Sequence, residues 1–134
     1  MSEEENTRLV QQVYRDFQNG DIQGVLGALS EDVEWVTTQL SGVPVGGTYH
    51  GVEEAGQFFS SLGDTQEARQ LELRGYVAQD DRVVALGHYA WHVKATGKVW
   101  ESDFAHVCVV RDGKIASFQE YTDTAAIAAA FQGG

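Results

Sequence analysis

The sequence has little cysteine and few positive charges, and each shortage excludes a class of structure or function. Cys108 is the only cysteine, so neither an internal disulfide nor a cysteine-based metal cluster can form, which is typical of a reducing compartment. Lysine and arginine together number 9 against 20 acidic residues, a formal net charge of -11. Such a charge repels nucleic-acid phosphates and anionic bilayers. We therefore expect neither a nucleic-acid partner nor a membrane-surface role.

Long apolar runs are also missing. No stretch approaches the roughly 18 apolar residues of a membrane-spanning helix, and the opening MSEEENTR lacks the basic and apolar regions of a signal peptide. We expect a cytoplasmic protein. With 134 residues, of which 43% are hydrophobic, the chain is predicted to form one globular domain over residues 1–134.

Apolar residues at spacings of three and four predict helices over 3–19, 22–29 and 52–62. Asn19 and Gly20 end the first helix, and Asp21 caps the second. An alanine-rich helix follows Asp123 and is expected to run to residue 130. The only proline, Pro44, and three glycines predict an irregular backbone over 39–48, suited to covering the mouth of a pocket.

Stretches rich in Val, Tyr, Trp and Phe predict β-strands. One short strand is expected over 33–37. Turn residues at 80–81, 96–97 and 112–113 divide the rest into an antiparallel meander of four strands, over 67–79, 82–95, 98–111 and 114–122. Helices followed by such a sheet predict an α+β fold with the helices on one face of the sheet.

Three segments resemble the nuclear transport factor two and SnoaL-like superfamily, and together they cover essentially the whole chain. They are an opening helix that ends in NGD before SEDVEW, the segment YHGVEEAGQFF, and the closing DFAHVCVVRDGKIASFQEYTDTA, which is the most specific. The resemblance implies a cone-shaped α+β roll, in which N-terminal helices pack on the concave face of a curved, mainly antiparallel sheet around a pocket. Relatives include ketosteroid isomerases, polyketide cyclases and epoxide hydrolases, so the fold alone decides no activity.

Strand alternation divides the candidate polar residues between the two faces of the sheet. His88 and His92 share one face of their strand. In the resembled family the concave face carries the site and the convex face packs against a second subunit, so we assign both histidines to the pocket. The same register turns Asp103 and Glu120 inward.

The opposite face carries an aromatic group that predicts a homodimer through the convex side of the sheet. Its members are Tyr89, Trp91, Trp100 and Phe104. His106 matches the histidine position of the cyclases, yet strict alternation places it with Phe104 on the convex face. A β-bulge would reverse that facing, so both placements stay open.

Glu120 is the leading candidate base, because a carboxylate held in an apolar cone becomes a usable base near neutral pH. The matching position holds the catalytic Asp in the resembled cyclases and epoxide hydrolases. His92 falls where those hydrolases place a second catalytic carboxylate, and imidazole exchanges protons near neutral pH. His88 and Asp103 complete the candidates. Each has a structural alternative, a hydrogen-bonded core histidine or a solvated rim acid.

Neither a metal nor a cofactor is expected. The spacing of His88 and His92 along one strand is too long to hold a small ion without ligands from other strands. Neither a Gly-rich phosphate loop nor a nucleotide-binding fingerprint occurs in the sequence.

The pocket wall is predicted to be apolar and to hold a small hydrophobic molecule. Its expected residues are Phe17, Trp35, Thr37, Phe58 and Phe118, with Tyr14 and Tyr49 offering hydroxyls to a ligand carbonyl. Two functions follow. One is a cofactor-independent acid/base enzyme, an isomerase, polyketide-cyclase-like enzyme or hydrolase, acting on a hydrophobic cyclic compound. The other is a non-catalytic binding or accessory protein for a small apolar ligand.

Overall fold

The computed structural model describes residues 2–133, and its four α-helices lie close to their predicted ranges. They are α1 (Glu3–Gln18), α2 (Ile22–Gly27), α3 (Gly51–Thr65) and α4 (Thr124–Phe131). The second helix, however, ends at Gly27 instead of residue 29, and the strand predicted over 33–37 already begins at Leu29. α1 begins with a capping box, in which the Ser2 hydroxyl accepts from the Glu5 N–H and the Glu5 carboxylate accepts from the Ser2 N–H. Asp21 and Asp123 cap α2 and α4 with their carboxylates. Among residues 2–133, no helix is long and apolar enough to cross a membrane.

Six strands form one curved sheet against which the helices pack. They are β1 (Leu29–Thr37), β2 (Gly47–His50), β3 (Gln66–Gln79), β4 (Arg82–Val93), β5 (Val99–Arg111) and β6 (Lys114–Thr122). Their order is β2-β1-β6-β5-β4-β3, with β1 parallel to β6 and every other neighbouring pair antiparallel. The predicted meander from β3 to β6 and the predicted α+β roll are both confirmed.

The segment predicted to be irregular contains a short strand. Residues 47–50 pair antiparallel with β1, with Tyr49 opposite Trp35, while residues 38–46 lie outside helices and strands. Gly46 and Gly47 have φ values of 128° and 122°, which side-chain-bearing residues rarely adopt. These two glycines turn the chain back along β1, so the prediction of a wholly irregular stretch over 39–48 is wrong for its last two residues.

The helices cover the face of the meander opposite to the one predicted. In β4, Tyr89 and Trp91 are buried, and Phe17 of α1 packs against this aromatic group. His88 and His92 lie on the other, convex face, where acidic side chains surround them. The physical reason is that an aromatic side chain buries about 150–250 Å² of surface, whereas imidazoles and carboxylates lose solvation when buried. The helices therefore close over the aromatic face.

A glycine lets the aromatic face pack closely. Gly87 of β4 lies opposite Phe104 of β5, and a Cβ atom at Gly87 would lie 2.6 Å from the Phe104 ring. The Phe104 ring consequently rests on the β4 backbone, with its centroid 4.5 Å from that of Tyr89. This packing brings β5 side chains into the interior of the cone.

Candidate functional site

A cavity lies between the concave face of the sheet and helices α1 and α3. Its volume, measured as the space open to the centre of a water molecule, is about 120 Å³. One water needs roughly 10–15 Å³ by that measure, so the cavity has room for an organic ring. Its walls are mostly aromatic and aliphatic, with Trp35 and Phe118 stacked at a centroid distance of 3.8 Å.

Four polar side chains form one hydrogen-bonded chain in this apolar space. Tyr14 Oη lies 2.5 Å from His106 Nδ1, and His106 Nε2 lies 2.9 Å from Glu120 Oε2. The Tyr89 hydroxyl donates to the same Glu120 oxygen at 3.0 Å. Only 7% of the His106 side chain and 19% of the Glu120 side chain are exposed. These hydrogen bonds therefore join α1, β4, β5 and β6 at one point in the cavity.

The two tyrosines determine where the protons lie in this set of hydrogen bonds. Burial raises the pKa of the Tyr14 phenol well above its usual range, so Tyr14 keeps its proton and donates to His106 Nδ1. The Nε2 atom then carries the ring proton and donates to Glu120. Burial, with Glu120 nearby, also raises the pKa of Tyr89, which therefore donates as well. Glu120 Oε2 thus accepts two hydrogen bonds.

The other oxygen of Glu120 is available for chemistry. Within residues 2–133, no hydrogen bond reaches Oε1, and Glu120 contributes to the cavity lining. His106 cannot turn easily, because its ring stacks on Phe104 at 4.2 Å and lies 4.8 Å from Phe118. A carboxylate with one oxygen held and the other free in an apolar cavity can accept a proton from a bound molecule.

Cys108 also borders the cavity, but its environment makes it unreactive. The thiol is buried, and this burial raises its pKa to about 12. The thiolate, which is the nucleophilic form, is therefore scarce near neutral pH.

Most of the residues predicted to contact a ligand do line the cavity. They are Tyr14, Phe17, Trp35, Thr37, Phe58 and Phe118, together with the candidate base Glu120. Their chemical roles stay predictions. Tyr49 differs: it packs edge-on against Phe58, and its hydroxyl is bound to the Gly46 backbone, accepting from N–H at 3.2 Å and donating to C=O at 3.3 Å. It therefore supports the wall from behind.

Three candidates assigned to the pocket lie on the convex face instead. His88 Nδ1 is 2.8 Å from Asp103 and its Nε2 is 3.0 Å from Glu101. His92 Nδ1 lies 3.3 Å from Glu67 without hydrogen-bond alignment. The predicted pocket roles of His88, His92 and Asp103 are wrong, because these side chains pair with surface charges away from the cavity. Among residues 2–133, no cluster of three or more ligating side chains could hold a metal ion.

His106 is the histidine that reaches the cavity, and it needs no β-bulge to do so. The pairing of β4 with β5 runs without interruption, with His106 opposite Ala85. His106 does share its face with Phe104 and Cys108, as alternation predicts, but that face is the concave one. Of the two placements left open for His106, the one on the convex face is therefore wrong, and the one in the pocket is reached without a β-bulge.

The aromatic group predicted to form a dimer interface lies in the interior. Tyr89, Trp91 and Trp100 border the cavity, and Phe104 is 4% exposed. The Trp100 Nε1–H donates to the buried Gln66 side chain at 2.8 Å. Sequence reasoning missed Tyr89 as a partner of Glu120. The signal that would have found it is the alternation of aromatic and polar residues in β4, which marks the aromatic face as the core.

Comparisons with known proteins agree with this architecture. The model of the SnoaL-like domain family matches residues 10–118. The chain is similar to the solved structure of an NTF2-like protein from Burkholderia xenovorans, at 31% identity and a TM-score of 0.89, over 98% of this chain and 99% of that one. An NTF2-like protein of unknown function from Burkholderia pseudomallei shares 29% identity, with a TM-score of 0.88 and the same two coverages.

A third similar structure is TerC, which was co-crystallised with polyporic acid. The identity is 29% and the TM-score is 0.85, over 95% of this chain and 98% of that one. No curated protein matches the sequence.

Proposed function

This chain belongs to the SnoaL-like domain family, and we propose that it transfers protons within a small hydrophobic cyclic molecule, using Glu120 as the base. The observation that carries the proposal is the pair of hydrogen bonds that His106 and Tyr89 donate to Glu120 Oε2 inside the cavity. These bonds fix the orientation of the carboxylate and leave Oε1 directed to the bound molecule. The reaction class is that of an isomerase or a polyketide-cyclase-like enzyme.

The proposed step begins with removal of a proton from carbon next to a carbonyl group. Glu120 Oε1 takes the proton, the C–H electron pair forms a carbon–carbon double bond, and the carbonyl electrons move to oxygen. While it is held on Oε1 the proton exchanges with solvent, since 19% of the Glu120 side chain is exposed. A solvent-derived proton or deuteron then passes from Oε1 to the same carbon, or to another atom of the same molecule, which restores the carboxylate. His106 and Tyr89 keep the carboxylate oriented and hydrogen-bonded while its charge changes, and Tyr14 holds His106 in place.

The cavity walls support a cyclic, apolar substrate. The ring centroid of Trp35 lies 3.8 Å from that of Phe118 and 6.1 Å from that of Phe58, a packing in which a ligand ring can join. TerC supports this class of ligand, since it was co-crystallised with polyporic acid. A hydrolase is less well supported, because no arginine among residues 2–133 lines the cavity to orient a water with Glu120.

The test is catalysed exchange of carbon-bound protons. α-Tetralone, a bicyclic ketone, is incubated with the protein in deuterated buffer, and loss of its proton signal beside the carbonyl is followed by NMR. We expect exchange faster than in buffer, and a loss of about a hundredfold or more in Glu120→Gln. Glu101→Gln is the matched control, since Glu101 is a carboxylate on the convex face.

Equal rates for Glu120→Gln and the unchanged protein would contradict the proposal. Binding of α-tetralone without any catalysed exchange would instead favour the second candidate function, a non-catalytic protein that binds a small apolar molecule. The observation that supports this second function is the largely apolar wall of the cavity, which is typical of sites that bind small molecules.

Because the aromatic residues of β4 and β5 lie on the concave face, the proposed dimer surface must consist of other residues on the convex face. The convex face exposes Val77, Leu86 and Tyr121 by 59%, 40% and 58%. They lie on β3, β4 and β6 of the meander, with Ala105 of β5 between Leu86 and Tyr121. We propose that a second copy of the chain covers this patch. Sedimentation should show a dimer that Leu86→Glu converts to monomer, while Val99→Glu, at the start of β5 and opposite His92, does not. A monomer at micromolar concentration would overturn the proposal.

A further inference from the structure

Two buried polar atoms in the cavity wall lack a hydrogen-bond partner among the described residues. They are Trp35 Nε1 and Thr37 Oγ1, on residues that are 4% and 7% exposed. Both residues line the cavity. Leaving a buried polar group unpaired is costly, and both groups lie on the same face of β1, two residues apart. The cavity therefore has a second polar region besides the Glu120 carboxylate.

The register of the sheet places this second region beside Glu120. β1 and β6 run parallel, with Trp35 opposite Phe118 and Val36 opposite Gln119. The next step of the same register brings Thr37 alongside Glu120, one strand spacing of roughly 4.8 Å away. The unpaired hydroxyl and the proposed base are thus neighbours on the concave face.

The chemistry of the two atoms indicates what they bind. An indole N–H can only donate a hydrogen bond, and a threonine hydroxyl can donate one as well. A carbonyl oxygen has two lone pairs and can accept from both. Glu120 is the one acidic side chain among residues 2–133 that lines the cavity, and neither of the two donors is hydrogen-bonded to it.

We propose that Trp35 Nε1–H and the Thr37 hydroxyl form a subsite for the carbonyl oxygen of a cyclic ketone, placed so that the carbon beside the carbonyl faces Glu120. This inference rests on the proposed function, whose proton-transfer step it completes. When Glu120 Oε1 takes the proton, negative charge develops on the carbonyl oxygen. Two donors that bind that oxygen stabilise the charge as it forms.

The experiment compares two ligands of the same shape. Tetralin has the bicyclic skeleton alone, and α-tetralone carries one carbonyl oxygen on it. Trp35→Phe removes the N–H and keeps an aromatic ring against Phe118, and Thr37→Val replaces the hydroxyl with a methyl group. Ligand-observed NMR titration gives each dissociation constant, and the deuterium exchange assay at saturating α-tetralone gives the rate.

We expect each substitution to weaken α-tetralone binding about five- to tenfold and to leave tetralin binding within about twofold. The exchange rate at saturation should also fall, since charge on the oxygen increases during the reaction. Tetralin binding serves as the check that each variant keeps its folded cavity.

Two outcomes would overturn the subsite, and they differ in what they say about Glu120. In the first, the dissociation constant of α-tetralone is unchanged in both Trp35→Phe and Thr37→Val, while Glu120→Gln still abolishes exchange. This result would rule out the subsite and leave the proposed function intact. Failure of the unchanged protein to bind either ligand would overturn both proposals.

Discussion

His106 on β5 and Glu120 on β6 lie directly opposite each other in the sheet, and His106 Nε2 is 2.9 Å from Glu120 Oε2. Cross-strand neighbours on one face are the closest pairs that a sheet provides. The pair is therefore built into the backbone register, and tyrosines from α1 and β4 complete its hydrogen bonds.

Replacing His106 should damage both the site and the fold. In His106→Phe the buried Tyr14 hydroxyl loses its acceptor and Glu120 loses a donor, so we expect the free energy of unfolding to fall by about 1–3 kcal/mol. Proton exchange from α-tetralone should fall as well. His88→Phe is the control for the exchange assay, since His88 lies outside the cavity. Chemical denaturation and the exchange assay measure the two effects, and full exchange activity in His106→Phe would contradict the assignment.

Thr37→Val should make the protein more stable while weakening its binding of a ketone. The Thr37 hydroxyl is buried without a partner, and valine has nearly the same shape without a polar atom to desolvate. We expect a gain of about 1 kcal/mol in the free energy of unfolding. Urea denaturation of both proteins without ligand measures it. A loss of stability would show that the hydroxyl already has a partner, which would also argue against the ketone subsite.

Cys108 should resist thiol reagents in the folded protein. Because burial raises its pKa to about 12 and the residue is 1% exposed, little thiolate exists near neutral pH and reagents cannot reach it. Reaction with a chromogenic disulfide should be slow in buffer and complete within minutes after addition of denaturant. Rapid modification of the native protein would indicate that the cavity opens to solvent far more than its packing implies.

His88, on the convex face of the sheet, should make the free energy of unfolding depend on pH in a defined direction. Hydrogen bonds with Asp103 and then Glu101 raise the pKa of His88 above its ordinary value of 6.5. The folded state therefore binds this proton more tightly than the unfolded state. The resulting stabilisation is fully present below about pH 6.5 and disappears as the pH rises through the raised pKa.

The His88–Asp103 interaction also weakens at low pH. The hydrogen bond from His88, and then the nearby Arg74, lower the pKa of Asp103 below its ordinary value of 3.8. The stabilisation from Asp103 is present above that value and is lost as the pH falls through the lowered pKa. His88→Asn should remove the alkaline part of the dependence, and His50→Asn, on an exposed surface histidine, should leave it. Denaturation at a series of pH values measures this. Identical pH profiles for His88→Asn and the unchanged protein would contradict the ion pair.

Much of the fold could be predicted from local patterns. Helical spacing located α1 and α3, and the turns at 80–81 and 112–113 separated the meander strands, with Asp80 and Asp112 adopting φ values of 54° and 52°. β2 could not be found from its sequence, because its four residues pair only through contact with β1. Short strands carry too little periodicity to stand out from a loop.

The candidate site could be predicted only in part. Glu120 and the aromatic wall were found, because the resemblance located one and the apolar spacing located the other. His88 and His92 were wrongly placed in the pocket instead of His106. The error arose because the resembled family dimerises through its convex face, so the aromatic residues Tyr89 and Trp91 were assigned to that outer face. The alternation itself was correct, and the burial of large aromatic surface decides which face is the interior.

The amino-acid sequence by itself determined which residues share a face, because a strand's side chains alternate with a period of two whatever surrounds them. His106, Phe104 and Cys108 belong together on that ground alone. Only the tertiary structure decided which face became the cavity, and that Tyr14, Tyr89, His106 and Glu120 meet there. These four residues come from four elements spread over more than a hundred positions, and their meeting depends on long-range packing that no local pattern contains.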